Sequence, residues 1–397
     1  MSGTLNNVYN NVTFAIARQT EALTKLQEQT TTGSRVNRPS DDPSTAYRIL
    51  TLDTESKSLE NYLNTIADMS STLETGSAII QQMASVIGQT RNNVTQIASG
   101  VYDQQGRDRT AEAINDSLEQ LVQLANTKYN GQYLFGGADT GSAPYVVERT
   151  DGEITAVTYQ GSTESRNVNV APGVSASAYY VGEELFSSDK RSTPIFNGTT
   201  GAAAGTGTSS VTGDVWLTVT NDGSNYKISI DDGATFTTVP TGGDANQAVT
   251  DSRTGKVLYV DTTGINSTGV ELVRVPGTYD VFGTLITIRD LLKNDRNLSD
   301  SQIQQLRNAS TESLEEVQNL LIQKEVSMGS KVGFLSNLKS SVESVKSNNE
   351  DETSQLQQAD IAQIAIDLSR QQALYQMSLS VAGRMMSLSL LDFIGTA

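Results

Sequence analysis

From Asp42 to about Ser99, apolar residues recur at helical spacing: Ile49, Leu52, Leu59, Leu63, Ile66, Leu73, Ile79, Ile80, Met83, Ile87, Val94 and Ile97. Asp42 suits the N-cap and Pro43 the first helical position, where a missing N–H costs nothing. At ~1.5 Å rise per residue such a helix is roughly 80 Å long. That exceeds the core of a globular domain, so its stripe needs an equally long partner.

The partner lies far along the chain. Helical period returns at Val281, Leu285, Ile288 and Leu292. It continues from about Asp300 to Ser347 through Ile303, Leu306, Leu314, Val317, Leu320, Leu321, Val332, Leu335, Leu338 and Val342. A polar break at Asn348 to Thr353 is expected before a last helix, striped by Leu356, Ile361, Ile364, Leu368, Tyr375, Leu379, Ala382, Met386, Leu390 and Phe393. Upstream, Leu5, Val8, Val12, Ile16, Leu23 and Leu26 mark a first helix that ends at Thr32-Gly33, and Ser34 to Asp42 lacks a period. A turn around Gly100 to Arg107 and a helix over roughly Arg109 to Lys128 complete the first half.

Between the halves, Gly, Thr, Ser, Val and Asp dominate and apolar residues alternate. Ile154 to Tyr159, Val215 to Thr220, Tyr226 to Ile230, Thr235 to Val239 and Lys256 to Val260 read as short antiparallel strands, with turns at Asn221-Asp222-Gly223 and Asp231-Asp232-Gly233. The expected fold class is therefore α+β, an elongated hairpin whose N- and C-terminal helices pair as coiled coil and bundle around an inserted outer antiparallel β domain. The expected parts are a terminal helical assembly domain (1–42 with 348–397), a long-helix bundle (43–135 with 280–347) and a β-rich insertion (136–279). Tyr133, Leu134, Phe135 and Phe282 fall where helix gives way to insertion and are expected to pack at that junction.

Composition narrows the chemistry. The 397 residues include no Cys and no His. Disulfides, thiolate sites, Ser-His-Asp arrangements and the usual zinc ligands are therefore excluded. A net charge of −17 repels phosphate backbones, so no nucleic-acid partner is expected. No apolar run is long enough to span a bilayer, and Met1 to Ala15 is too polar for a signal-peptide core. No membrane partner is expected, and export would need a route without cleavage. No metal or cofactor site is legible: Asp222, Asp231 and Asp232 lack a closing Glu at EF-hand distance and suit hairpin turns.

The segment Leu26-Gln27-Glu28-Gln29-Thr30-Thr31-Thr32-Gly33-Ser34-Arg35-Val36-Asn37-Arg38-Pro39-Ser40-Asp41-Asp42-Pro43 resembles the N-terminal signature of the bacterial flagellin family. The run Asp360-Ile361-Ala362, Ala365, Leu368-Ser369, Gln372 and Ser387-Leu388-Ser389-Leu390-Leu391-Asp392-Phe393 is similar to the family's other end. Further features resemble members that join hook to filament. They are Gly131-Gln132-Tyr133-Leu134-Phe135-Gly136-Gly137 with Thr140 and Pro144-Tyr145, Val281-Phe282 followed by Leu285, Ile288 and Arg289-Asp290, and the ending Leu390-Leu391-Asp392-Phe393-Ile394. The filament subunit itself is the nearest alternative. A glycan-binding or hydrolytic module in the insertion is a more distant one, since carboxylates alone serve glycoside hydrolysis.

The resemblance implies a non-catalytic, self-assembling subunit of a ring. It would contact the first hook-associated protein below and filament flagellin above, and be exported by the flagellar type III pathway to the cell exterior. It also implies an export chaperone on the C-terminal stripe and a subunit contact at the loop carrying Arg35, Asn37, Arg38, Asp41, Asp42 and Pro43. Without the resemblance, Arg35 and Arg38 read as solvated loop charges.

Overall fold

The computed structural model describes the backbone of residues 2–99, 103–294, 296, 298 and 300–394, and the side chains of 10–97, 103–294, 296, 298 and 302–385. The helices are α1 (Ser2–Thr32), α2 (Pro43–Ser99), α3 (Gln104–Ala125), the short α4 (Gly182–Phe186), α5 (Val281–Lys293), α6 (Asp300–Gln357) and α7 (Ile361–Ile394). The fold class is α+β, as the periodicities predict. No helix among the described residues is long and apolar enough to cross a membrane. Two compact units emerge, one of residues 1–64 with 338–397 and one of residues 65–337.

In the 65–337 unit, α3 and α5 pack together with the stretches of α2 and α6 that belong to it. Ile80, Met83 and Ile87 of α2, Leu118 and Leu121 of α3, Leu285 and Ile288 of α5 and Leu314 and Leu321 of α6 share one core and are almost wholly buried. Side-chain caps set the helix starts. Asp103 Oδ1 accepts the Gly106 amide (2.9 Å), and Asp280 Oδ1 accepts the Phe282 and Gly283 amides (3.0 and 2.6 Å). With Asp103 as cap, α3 begins five residues earlier than its apolar period suggests. The residues 100–102 of the expected turn lie outside the described ones.

The insertion opens with two short paired strands, β1 (Lys128–Tyr129) and β2 (Gln132–Tyr133), and continues in the hairpins β3 (Tyr145–Thr150) with β4 (Glu153–Tyr159) and β5 (Asn167–Ala171) with β6 (Val174–Ser177). Eight further strands follow: β7 (Ile195–Asn197), β8 (Ala203–Ala204), β9 (Gly213–Asn221), β10 (Tyr226–Ser229), β11 (Thr237–Thr238), β12 (Gln247–Thr250), β13 (Val257–Asp261) and β14 (Gly269–Val275). They form an antiparallel five-stranded sheet ordered β11-β10-β9-β14-β7 and a three-stranded sheet ordered β12-β13-β8. Leu217, Val219, Ile228, Val249, Leu258, Val260 and Val273 bury one alternating face of their strands in a common core. From the other side of the five-stranded sheet, Leu272 and Trp216 pack on Leu291, Leu298, Ile303 and Leu306 of the helical part.

Buried polar groups fasten the same junction. Arg274 Nε donates to the Tyr279 hydroxyl (2.9 Å), and its guanidinium reaches Glu312 (3.0 Å) and Ser313 Oγ (2.8 Å) on α6. The Tyr279 hydroxyl donates to Asp214 (2.8 Å). Arg289, almost wholly buried, donates to the Ile154 carbonyl (2.6 Å) and Asn115 Oδ1 (3.0 Å), joining α5 to β4 and α3.

One element departs from the sequence-based expectation. No break occurs at Asn348 to Thr353; α6 runs on to Gln357. Polar side chains do not end a helix when their backbone has no competing turn, and this stretch holds no Pro or Gly. The helix ends beyond it, where Asp360 caps α7: its Oδ1 accepts the Gln363 amide (3.0 Å), and its carbonyl accepts the Ile364 amide (2.9 Å).

Leu134, Phe135 and Phe282 are buried, whereas Tyr133 is half-buried under the Lys128 ammonium, 4.5 Å from its ring centroid. Phe135, Tyr145, Phe186 and Phe282 form an aromatic cluster with centroids 4.9–6.1 Å apart. Phe282→Ala is expected to lower the unfolding free energy by about 3–5 kcal/mol. Tyr133→Ala, at the rim, should lower it by less than half as much, both read from denaturant midpoints.

Candidate functional site

In the unit of residues 1–64 and 338–397, α1 packs along α7. Val12, Ile16, Leu23 and Leu26 are half-buried along one face of α1, with Gln19 and Gln29 on the same line. The opposing face of α7 carries Ile364 (buried) with Leu368, Tyr375, Ser378 and Ala382 (half-buried). The side chains of Leu5 and Val8 at one end, and of Met386, Leu390 and Phe393 at the other, lie outside the described residues.

The C-terminal stripe divides in two. Ile361 and Leu379 are exposed, off the face that meets α1. Five further apolar residues, Ile366, Leu374, Met377, Val381 and Met385, are 40–66% exposed. At 3.6 residues per turn they share an arc of roughly 100° beside the α1 seam. Val12, Ala15, Leu374, Met377, Ser378 and Val381 line a shallow groove of about 200 Å³ along that edge. The single stripe read from sequence holds none of these five residues, because one 3.6-residue period admits one face per helix.

The exposed side of α1 is polar in composition, but part of that polarity is already satisfied. The hydroxyls of Thr20, Thr24, Thr30, Thr31 and Thr32 donate to carbonyls one turn back, at 2.7–3.0 Å. Ser369 does the same on α7 (2.9 Å). Back-bonded hydroxyls leave methyl groups and little unmet hydrogen-bonding demand on the surface.

The loop after α1 is organised by its own acids. Gly33 ends the helix at φ +69°, a conformation that disfavours a Cβ, and its amide reaches the Gln29 carbonyl (2.9 Å). Asp41 Oδ2 accepts the amides of Asn37 (3.2 Å) and Arg38 (2.9 Å), while its Oδ1 pairs with Lys25 (3.1 Å). The Lys25 contact foremost, with the two amides acting against burial, holds Asp41 below the usual carboxylate range. Asp42 caps α2, accepting the Thr45 hydroxyl (2.7 Å), the Thr45 amide (3.2 Å) and the Ser44 hydroxyl (3.0 Å), which hold its carboxyl at about 2. Arg35 pairs with Asp42 (3.3 Å) and Arg38 with Glu28 (3.2 Å), but both guanidinium groups stay more than half exposed. Pro43 opens α2, as its fixed φ favours.

The two connectors are stitched to each other. The Arg35 amide donates to the Gln357 carbonyl (2.7 Å), the Ala359 amide to the Gly33 carbonyl (3.1 Å), and Ser34 bridges Gln358 in antiparallel fashion. Gln29, buried at the seam, donates Nε2 to the Arg35 carbonyl (2.8 Å). The Asp360 cap and this stitch were not expected from sequence. The cap had a signal, since Asp360-Ile361-Ala362-Gln363 follows the spacing of a capping box. The stitch had none, because backbone bonds over such a separation leave no local pattern.

Carboxylates in the insertion are engaged structurally. Asp231 is buried and accepts hydrogen bonds from Ser229 Oγ (2.7 Å), the Thr235 amide and hydroxyl (2.9 and 2.6 Å) and the Ser252 amide and hydroxyl (3.2 and 2.7 Å). Burial raises its pKa, yet these bonds together hold it well below the carboxylate range. Burial pushes Asp214 up to about 6 against the opposing pull of Arg274 and Tyr279, and its side chain is 3% exposed. Asp222 accepts the Ser224 and Asn225 amides of its hairpin turn. Trp216 is half-buried and faces Arg296, whose guanidinium lies 4.7 Å from the ring centroid.

Comparison with known proteins matches the first third of the chain, from α1 through α3, to a family model. The model of the bacterial flagellin N-terminal helical region matches residues 4–140. Flagellar hook-associated protein 3 of Escherichia coli (strain K12) is 29% identical over 167 residues, 41% of this chain and 50% of that protein. Flagellar hook-associated protein 3 of Salmonella typhimurium is 32% identical over 124 residues, 30% of this chain and 38% of that one. The matches thus span half or less of these relatives. Among solved structures, flagellar hook-associated protein-3 from Legionella pneumophila superposes with a TM-score of 0.54 at 16% identity, covering 78% of this chain and 98% of that one. A putative flagellar hook-associated protein from Vibrio parahaemolyticus gives 0.51 at 14% identity, covering 80% and 100%. The resemblance to flagellins read from the residues is borne out, and the fold is shared with these structures.

The loop acids generate a pH dependence. Both folded pKa values lie below the ordinary 3.8, so the stabilisation is present above that pH and is lost as pH falls below it, for Asp42 towards about 2. Protection of the Arg38 and Thr45 amides, taken relative to intrinsic exchange at each pH, should fall as the pH drops below 3.8. Asp42→Ala should accelerate the Thr45 amide already at neutral pH, leaving the 65–337 core unchanged.

Proposed function

We propose that this chain, whose first third is a flagellin-type helical region, is a structural subunit of the bacterial flagellum. It forms a ring joining hook to filament, with the first hook-associated protein below and filament flagellin above. Residues 1–42 with 348–397 serve assembly, 43–135 with 280–347 provide a helical bundle, and 136–279 form an outer β-rich part. The subunit is non-catalytic and works outside the cell. It is exported by the flagellar type III route without a cleaved signal, with a chaperone covering the segment from Ile361 to Phe393 beforehand.

The second apolar face of α7 carries this reading. Ile366, Leu374, Met377, Val381 and Met385 are exposed beside a seam already occupied by α1. Such a contiguous row on a slender helix pair is the surface of a subunit whose burial is completed by neighbours. The back-bonded threonines of α1 support it, since they lower the cost of drying that surface. In the loop, Arg35 and Arg38 keep exposed guanidinium groups above an ordered backbone, which suits a contact between copies. Both curated relatives bear the name of a hook-associated protein, which favours the junction over the filament itself. Asp214 and Asp231 are buried and fully engaged, which supports a structural role for the insertion over a hydrolytic one.

Met377→Glu with Val381→Glu puts two charges where neighbours would dry the surface, a penalty of several kcal/mol. Attached filaments should fall more than about tenfold, with flagellin monomers accumulating in the medium and the main melting transition of the purified chain unmoved. Normal filaments in that strain would refute assembly through α7. Removing residues 361–397, beyond the true end of α6, should have the same cellular effect. Absence of free flagellin after deletion of the whole gene would instead identify the chain as the filament subunit.

A further inference from the structure

Within the unit of residues 1–64 and 338–397, α2 and α6 run antiparallel. Arg48 pairs with Glu352 (2.9 Å) and Glu60 with Lys346 (3.8 Å), so Ser56 lies opposite the turn from Lys346 to Asn349, with Thr353 one turn further along α6. The α2 seam follows alternating spacings of three and four: Ile49, Leu52, Ser56 and Leu59. The three apolar members are buried and Ser56 is half-buried. On α6 the seam holds Val342, then Lys346, Asn349 and Thr353, then Leu356. Ser56 on α2 and Lys346, Asn349 and Thr353 on α6 thus interrupt seams whose flanking positions are apolar.

These polar groups are not matched among themselves. Asn349 Nδ2 and Thr353 Oγ1 are buried without a protein hydrogen-bond partner. A cavity of about 620 Å³ opens at this level, lined by Ser56, Lys57, Glu60, Lys346, Glu350 and Thr353 among others. An amide and a hydroxyl left unpaired here would each cost about 1–3 kcal/mol; the cavity is polar and roomy enough for water to bridge the Thr353 hydroxyl, whereas Asn349 does not line it. Leucine at these positions would continue the seam and stabilise it, so the polar residues need another reason.

We propose that Ser56, Lys346, Asn349 and Thr353 form a polar layer, hydrated where Ser56, Lys346 and Thr353 border the cavity, that fixes the register of α2 on α6 in this unit and discourages α6 from pairing with a second copy of itself. Taken by themselves, the stretches of α2 and α6 in this unit have degenerate registers, because a seven-residue slip sets apolar layer on apolar layer again. The polar layer removes that degeneracy. A seven-residue slip moves Asn349 from Ser56 towards Ile49 or Leu63, where no polar partner meets it. A parallel α6 pair would place Lys346 against Lys346.

The chain has no cysteine, so Ser58→Cys with Ser347→Cys, both exposed and at opposing levels, gives two unique spin-label sites on the full-length protein. The parent should show one narrow distance. With Ser56→Leu, Asn349→Leu and Thr353→Val added, the melting temperature should rise by about 2–4 °C per kcal/mol gained. A second distance population displaced by about 10 Å, seven residues at ~1.5 Å each, or a dimer by light scattering, should accompany it. Asn349→Leu alone is the fallback if the triple variant does not fold. A single unchanged distance in a monomeric variant, whether more or less stable, would overturn the proposal.

Discussion

Everything in the terminal part of this molecule depends on the first segment of the chain finding the last. Neither α1 nor α7 has another core among the described residues, and the connectors that lead to them hold each other through Arg35, Gln357, Gly33 and Ala359. Arg48 and Glu352 are 304 residues apart in sequence. Closing so long a flexible loop would cost about 5 kcal/mol on the logarithmic law. Folding of the intervening 65–337 unit reduces that cost, because its packed helices shorten the flexible path. Terminal pairing therefore follows from an ordered interior.

The balance of forces differs between the two units. In the 65–337 unit, apolar residues fill a continuous core, and buried charges are tied down: Arg274 by Tyr279, Glu312 and Ser313, and Arg289 by Ile154 and Asn115. Removing one partner of such a network leaves a charge in low dielectric, which explains why these arginines are all paired. In the other unit, ion pairs are exposed, and the α1–α7 seam is largely half-buried. Exposed pairs contribute about 0–1 kcal/mol each. This unit gains more from further burial than from its own contacts.

Legibility in sequence followed the range of the interaction. Alternation in Val215 to Thr220 and Lys256 to Val260 placed β9 and β13, because one face of each is buried and the period is two. Asp42 and Pro43 marked the start of α2 through contacts spanning three residues. The end of α6 was misread because Asn348 to Thr353 is polar, yet polarity reports which face is wet, not where the backbone stops. The sheet order and the stitch between connectors depend on pairs tens to hundreds of residues apart, which no local pattern encodes. Within the candidate site, Val12, Ile16, Leu23, Leu26, Ile364, Leu368 and Tyr375 line up across the α1–α7 seam, whereas the face bearing Met377 and Val381 escaped a reading that allowed one stripe per helix.

Apolar and polar residues are distributed in the assembly unit against the interest of an isolated monomer. Met377 and Val381 face outward, while Asn349 and Thr353 face inward. Exchanging them would give a more stable single chain that had lost both its binding face and its unique register. Stability of the lone subunit is therefore lower than its composition permits, and in the proposed assembly that deficit is recovered when neighbouring copies cover α7. In the proposed assembly such a chain keeps its ends weakly held until neighbours arrive, and the proposed polar layer favours the one pairing that presents the outward face of α7.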